Sequence, residues 1–255
     1  MGSTSHFLIF GSRGVGKALA HRLINSGARV HVCSLHKESL SALKESLDSS
    51  GKRDALSVST CDVMKEGSIR DTVIGACDAL NGLLNGVAFA VGSIPLQPLQ
   101  QVTRLEMIKH FTLNAVAALE VVQAAAPLLE KTKGSVVLFS SIAARQGFKN
   151  HATIAAAKGA VESLTLQMAA ELAPAVRVNC IAPSLTNTSL AQTIGTKATQ
   201  ARQGSVHPLK RIGEPEDVAS MAAFLLGPDA SWITGQIIGV DGGRSTIPTA
   251  LPGRN

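Results

Sequence analysis

Short, wholly apolar runs alternate along this chain with stretches whose apolar positions recur every three or four residues. Phe7-Leu8-Ile9-Phe10 is apolar throughout; Lys17 to Asn25 then sets Ala18, Leu19, Leu23 and Ile24 at helical spacing, and Gly27 closes the helix. The same alternation predicts strands over Val30–Cys33, Ala55–Thr60, Val87–Val91, Ser135–Phe139, Val176–Ile181 and Ile237–Val240. Between them it predicts helices over Ser39–Leu47, Ile69–Leu80, Leu105–Glu130, Ala152–Leu172 and Pro215–Leu226, the last started by Pro215 and Glu216. Strands apolar on both faces belong in a parallel sheet covered on both sides, so the pattern predicts one α/β domain of three layers, αβα. Ser184 to Ile212 has no clear period, and a segment of that length in a compact domain is commonly a functional lid.

Composition narrows the partners. With 255 residues, 45% of them hydrophobic and only 3% aromatic, the core must be built from Ala, Val, Leu and Ile. The net charge of +6 comes from scattered Lys and Arg without a basic run, and there are no tyrosines to stack on bases. This argues against nucleic acid and leaves a small phosphorylated ligand. The apolar stretch Leu83–Leu96 is interrupted by Asn85 and Gly86 and is too short to span a bilayer. No leader is visible at Met1–His6, so a soluble, cytoplasmic protein is expected. Cys33, Cys61, Cys77 and Cys180 form no C-x-x-C pair and are read as buried, reduced thiols, with no metal site expected.

The first strand runs straight into Gly11-Ser12-Arg13-Gly14-Val15-Gly16. Glycines at a strand–helix junction permit a tight turn and let the backbone approach a pyrophosphate, which then rests on the helix N-terminus. A site for NAD(H) would place a carboxylate at the end of the second strand for the ribose 2′-hydroxyl. Ser34 stands there instead, with Arg13, His36 and Lys37 near it in sequence, which favours the 2′-phosphate of NADP(H) over NAD(H). The plainer alternative is that these are solvated surface charges. Asp62, at the end of the third strand, is placed to accept from an adenine amine.

From Phe7 to about Gly243 the order of motifs resembles the short-chain dehydrogenase/reductase family, which implies a Rossmann-like doubly wound sheet. Asp62-Val63 resembles that family's adenine-contact pair. Asn114, in Leu113-Asn114-Ala115, resembles the helix Asn that holds a catalytic water. Val136 to Ser141 resembles the strand carrying the catalytic Ser, here Ser141. Arg177 to Pro183 resembles the strand and turn that contact the nicotinamide, with Thr186 and Thr188 following. Arg211 to Ala219, Ile233 to Gln236 and Val240 to Gly243 match the C-terminal signature. The resemblance implies a small-molecule substrate and a homodimer or homotetramer.

Three departures bear on chemistry. The glycine loop is one residue shorter than the family's Gly-x-x-x-Gly-x-Gly, with Phe10 where Thr is usual. Asn-Asn-Ala-Gly after the fourth strand becomes Phe89-Ala90-Val91-Gly92, in which only Gly92 survives. The Tyr-x-x-x-Lys motif reads Ile154-Ala155-Ala156-Ala157-Lys158, so the family's proton donor is replaced by a hydrocarbon. Lys158, Ser141 and Asn114 remain as candidate catalytic residues; His151, or a water held by Asn114 and Lys158, is a candidate substitute acid. Three functions are compatible with this pattern: an NADP(H)-dependent oxidoreductase acting on a carbonyl or imine, a dinucleotide-binding pseudoenzyme or partner subunit, and a non-redox cyclase, isomerase or lyase.

Overall fold

The computed structural model describes residues 4–48, 51–192 and 202–248. Seven parallel strands form one sheet: β1 (His6–Phe10), β2 (Arg29–Ser34), β3 (Leu56–Thr60), β4 (Gly86–Phe89), β5 (Ser135–Phe139), β6 (Arg177–Pro183) and β7 (Ile237–Val240). Their spatial order is β3-β2-β1-β4-β5-β6-β7. The chain winds outward from β1 in one direction, then returns and winds outward from β4 in the other. This is the doubly wound α/β arrangement expected from the sequence, in a single domain.

Side chains alternate across each strand, so one apolar run feeds two cores. Leu8 and Phe10 of β1 face a layer built on α3 (Ser68–Ala79), α5 (Ala117–Thr132) and α6 (Ala152–Leu172). Phe7 and Ile9 face the opposite layer, built on α1 (Gly14–Asn25), α2 (Lys37–Asp48) and α8 (Pro215–Leu226); α7 is the short turn Ser189–Gln192. All four cysteines are free and buried. His31 is buried on β2 and bridges Ser57 and Ser59 of β3, each ring nitrogen 2.8 Å from a hydroxyl. Burial pulls its pKa down to about 4.

Two local features depart from the periodic reading. The first helix begins at Gly14, three residues before Lys17, so the last two glycines of the loop already lie in its first turn. The expected Leu105–Glu130 helix spans Arg104–Thr132 but is interrupted: α4 (Arg104–Phe111) and α5 flank a π-type turn at Thr112–Val116, where the Ala117 N–H reaches back to the Thr112 carbonyl. Taken whole, this helix is long and apolar enough to cross a bilayer, which the sequence reading overlooked. Ala118, Val121, Val122, Ala125 and Leu129 are nevertheless buried, forming the stripe that packs this helix into the core.

The C-terminal signature motifs are largely structural. Asn179 accepts from the Gln236 N–H (3.0 Å) and donates to the Ile233 carbonyl (2.8 Å), tying the Ile233–Gln236 turn to β6. The Glu214 N–H donates to Asp217, whose carboxylate also receives Arg211, and this starts α8.

Candidate active site

Loops leaving β1 and β4 diverge to opposite faces, opening a crevice at the carboxyl ends of the strands. A cleft of about 840 Å³ lies there. Its floor is the turn after β1. Gly11 has φ +111° and donates its N–H to the Cys33 carbonyl at 2.8 Å. Gly14 has φ +47°, and a Cβ there would lie 2.8 Å from the methyl of Thr188. Gly16 does not line the cleft; a Cβ on it would meet the Gly11 carbonyl oxygen at 2.1 Å, so its role is to let helix and turn close on each other. α1 has no side-chain cap from Arg13 and no acidic residue in its first turn. Its N-terminal amides and dipole are therefore suited to an anion.

At one end of the cleft stand Arg13, Ser34 and His36, with Asp62 and Val63 beside them. Asp62 spends one carboxylate oxygen on the Met64 N–H (2.9 Å) and keeps the other. Ser12 is buried and bonded to Ser39 at 2.6 Å, which steadies the loop. Lys37 begins α2, is exposed and does not line the cleft, unlike its neighbour His36. Cys61 lines this end as well, and its hydrogen bond with Cys33 draws its pKa down to about 6.

At the other end, Gly92, Ser141, Ile154, Lys158 and Pro183 converge. Ser141 caps the short turn after β5 by accepting from the Ala143 N–H at 3.2 Å, which leaves its hydroxyl proton available. Lys158 is buried on α6, donates to the Phe139 carbonyl at 2.8 Å, and has its pKa lowered to about 8 by burial. Ile154, one turn earlier on α6, is also buried and offers only hydrocarbon. Asn114 does not line the cleft. It sits in the π turn just behind Gly92, where a Cβ would lie 3.0 Å from Asn114 Oδ1 and 3.2 Å from Lys158 Nζ. Its Nδ2 donates to the His110 carbonyl at 2.8 Å, while Oδ1 is buried and unpartnered.

His151 also lines the cleft; its Nδ1 is 2.6 Å from the Lys149 carbonyl and its ring leans on Phe148. Thr186 and Thr188 line the far wall, with Ser184 bonded to the buried His207 at 2.8 Å. Of the expected lid, residues 193–201 lie outside the described residues. Sequence reasoning missed Ser93, His207 and Arg244 as cleft residues, because they come from segments without a repeating pattern.

A family profile described as enoyl-(acyl carrier protein) reductase matches residues 9–245. The chain belongs to the short-chain dehydrogenase/reductase family. Within that family it is similar to a tropinone reductase homolog of Arabidopsis thaliana, at 36% identity over 91% of this chain and 89% of that one. A second, chloroplastic homolog from the same plant is 35% identical over 92% and 73% of the two chains. Among solved structures, a short-chain type dehydrogenase/reductase from Mycobacterium ulcerans is 32% identical over 94% of this chain and 90% of that one, with a TM-score of 0.86. Actinorhodin polyketide ketoreductase, solved with NADPH, is 25% identical over 97% and 100%, with a TM-score of 0.90. The chain contains no tyrosine.

Proposed function

We propose that this chain is an NADP(H)-dependent short-chain oxidoreductase with an atypical active site, reducing a carbonyl- or imine-type carbon of a small molecule. The observation that carries this reading is the continuity of the cleft. One channel runs from the basic Arg13–His36 end, across the uncapped N-terminus of α1, to Ser141 and Lys158. When bound, the reduced dinucleotide supplies hydride. Arg13, Ser34 and His36 would hold the 2′-phosphate, Gly11 to Val15 the pyrophosphate, and Asp62 and Val63 the adenine. Gly92, Lys158, Pro183, Thr186 and Thr188 would hold the nicotinamide end. Ser141 hydrogen-bonds the substrate oxygen through its free hydroxyl, orienting the carbonyl, and Ile154 keeps the site dry. The segment 184–212 acts as the lid. The NADPH-bound ketoreductase is a supporting relative.

NADPH fluorescence titration tests the first half of the proposal. Submicromolar to micromolar binding is expected, with NADH at least tenfold weaker. Arg13→Ala should erase most of that preference, costing about 1.5–3 kcal/mol for a lost charge-assisted bond. Equal affinity for both nucleotides, unchanged by Arg13→Ala, would count against the phosphate assignment. Binding without turnover of any ketone or iminium would favour a pseudoenzyme instead. Leu105, Ile108 and Phe111 are exposed along α4, which supports self-association as a dimer or tetramer. Ile108→Glu should reduce the mass measured by light scattering to that of one chain.

A further inference from the structure

The cleft contains a second hydroxyl with a hydrogen-bonded chain behind it. Ser93 follows Gly92 on the loop leaving β4, the strand beside Ser141's own, and its Oγ lies 2.7 Å from His110 Nδ1. His110 is buried on α4, and its other nitrogen lies 3.1 Å from Glu106 Oε2, one turn back on the same helix. Asn114 Nδ2 reaches the same Ser93 oxygen at 3.3 Å. The Glu106 side chain is 32% exposed against 11% for His110, so the chain runs from solvent inward to the cleft.

We propose that Ser93 donates the proton to the substrate oxygen in place of the missing phenol, resupplied by His110, whose Nε2–H is held by the Glu106 carboxylate; this rests on the oxidoreductase reading above. The donor inventory supports it. A hydroxyl has one proton and two acceptor lone pairs. Asn114 Nδ2 can only donate, so it occupies one lone pair. Doubly protonated His110 donates from Nδ1 to the second and from Nε2 to the Glu106 carboxylate. The Ser93 O–H is then left to point at a third group, and the cleft is beside it. Neutral His110 with a bare Nδ1 instead accepts the Ser93 proton, which is the arrangement that alcohol oxidation requires.

The step balances. Hydride brings two electrons and one proton to the carbonyl carbon, and the C=O π pair moves onto oxygen. That oxygen takes the Ser93 proton as Ser93 Oγ takes the Nδ1 proton of His110. His110 is left neutral, with Nε2–H still on Glu106, and regains its Nδ1 proton from water that enters the cleft as product leaves. A cationic iminium accepts hydride to give a neutral amine and needs no proton at all, so it separates the two halves of the proposal.

The test compares NADPH oxidation by 9,10-phenanthrenequinone and by N-methyl-3,4-dihydroisoquinolinium. Ser93→Ala and His110→Phe should lower kcat for the quinone about 10²- to 10³-fold and leave the iminium rate within about threefold. Ser93→Thr should restore the quinone rate. A readout without turnover accompanies this: ¹⁵N NMR of His110 in the nucleotide-free protein should show a hydrogen-bonded Nδ1 that Ser93→Ala abolishes. Equal loss on both substrates, or none, overturns the proposal, as does a quinone-specific loss in His151→Ala with Ser93→Ala unaffected. If wild type reduces neither substrate, the oxidoreductase reading falls and this one falls with it. If wild type reduces the iminium while Ser93→Ala keeps the quinone rate, only the relay is lost.

Discussion

Lys158 shows what burying a single amine costs the fold. Burial holds its pKa at about 8, below the ordinary 10.5. The unfolded chain therefore binds this proton more tightly than the fold between those values. Stability carries the full penalty below pH 8 and recovers as pH rises towards 10.5. At about 1.4 kcal/mol per pH unit the penalty is of order 3 kcal/mol at neutral pH. Lys158→Met should thus raise unfolding free energy by about 1–3 kcal/mol in urea titrations at pH 7, after loss of the Phe139 hydrogen bond, and flatten its alkaline rise. Gly16 shows the converse. Gly16→Ala must push a methyl into the backbone carbonyl of Gly11, which cannot swing aside as a side chain would. A loss of about 3 kcal/mol or more is expected by the same titration.

Among elements, the β2–β3 pairing carries a built-in acid sensitivity. His31 is neutral between two serines, with a pKa near 4 in the fold. Its stabilising contribution is complete above pH 6.5 and is lost as pH falls towards 4, amounting to about 3 kcal/mol. His6 and His21 are lowered in the same direction by burial and steepen the slope. Urea midpoints at pH 7 and pH 4.5 should differ clearly less in His31→Gln than in wild type. Strand and helix identities were legible in the sequence because hydrophobic period decides them, and the glycine turn was legible because only glycine satisfies its φ angles. The π turn was not: one extra residue inside an Ala-rich helix hardly disturbs a 3.6-residue period. Asn114 was singled out by motif, without the geometry that places it behind Gly92. Ser93 and His110 meet across seventeen positions, and only the Glu106/His110 spacing hinted at a pair. Lys37 illustrates the reverse error, since adjacency to His36 in sequence did not carry it into the cleft.

For the whole molecule, the groups that line or back the cleft come from widely separated segments that the sheet order brings together at the carboxyl ends of its strands. Ser141 and Lys158 sit on consecutive elements, whereas Ser93 and Asn114 come from the stretch between β4 and β5, and Gly11 from the first turn. The two cores on either face of the sheet fix these segments independently. Nucleotide affinity and proton delivery can therefore be altered separately: substitutions at Arg13 should leave the Ser93 chain intact, and the reverse.

The bulge in the Arg104–Thr132 helix has an evolutionary corollary. A π-type turn is an α-helix with one surplus residue, so deleting Leu113 would let the ladder close without shifting either flank. Such a chain should melt within a few degrees of the parent by differential scanning calorimetry, yet its Asn114 would rotate away from Gly92 and Ser93. Loss of one codon could silence the site while sparing the scaffold, a route by which a lineage converts a catalyst into a binding protein in a single event.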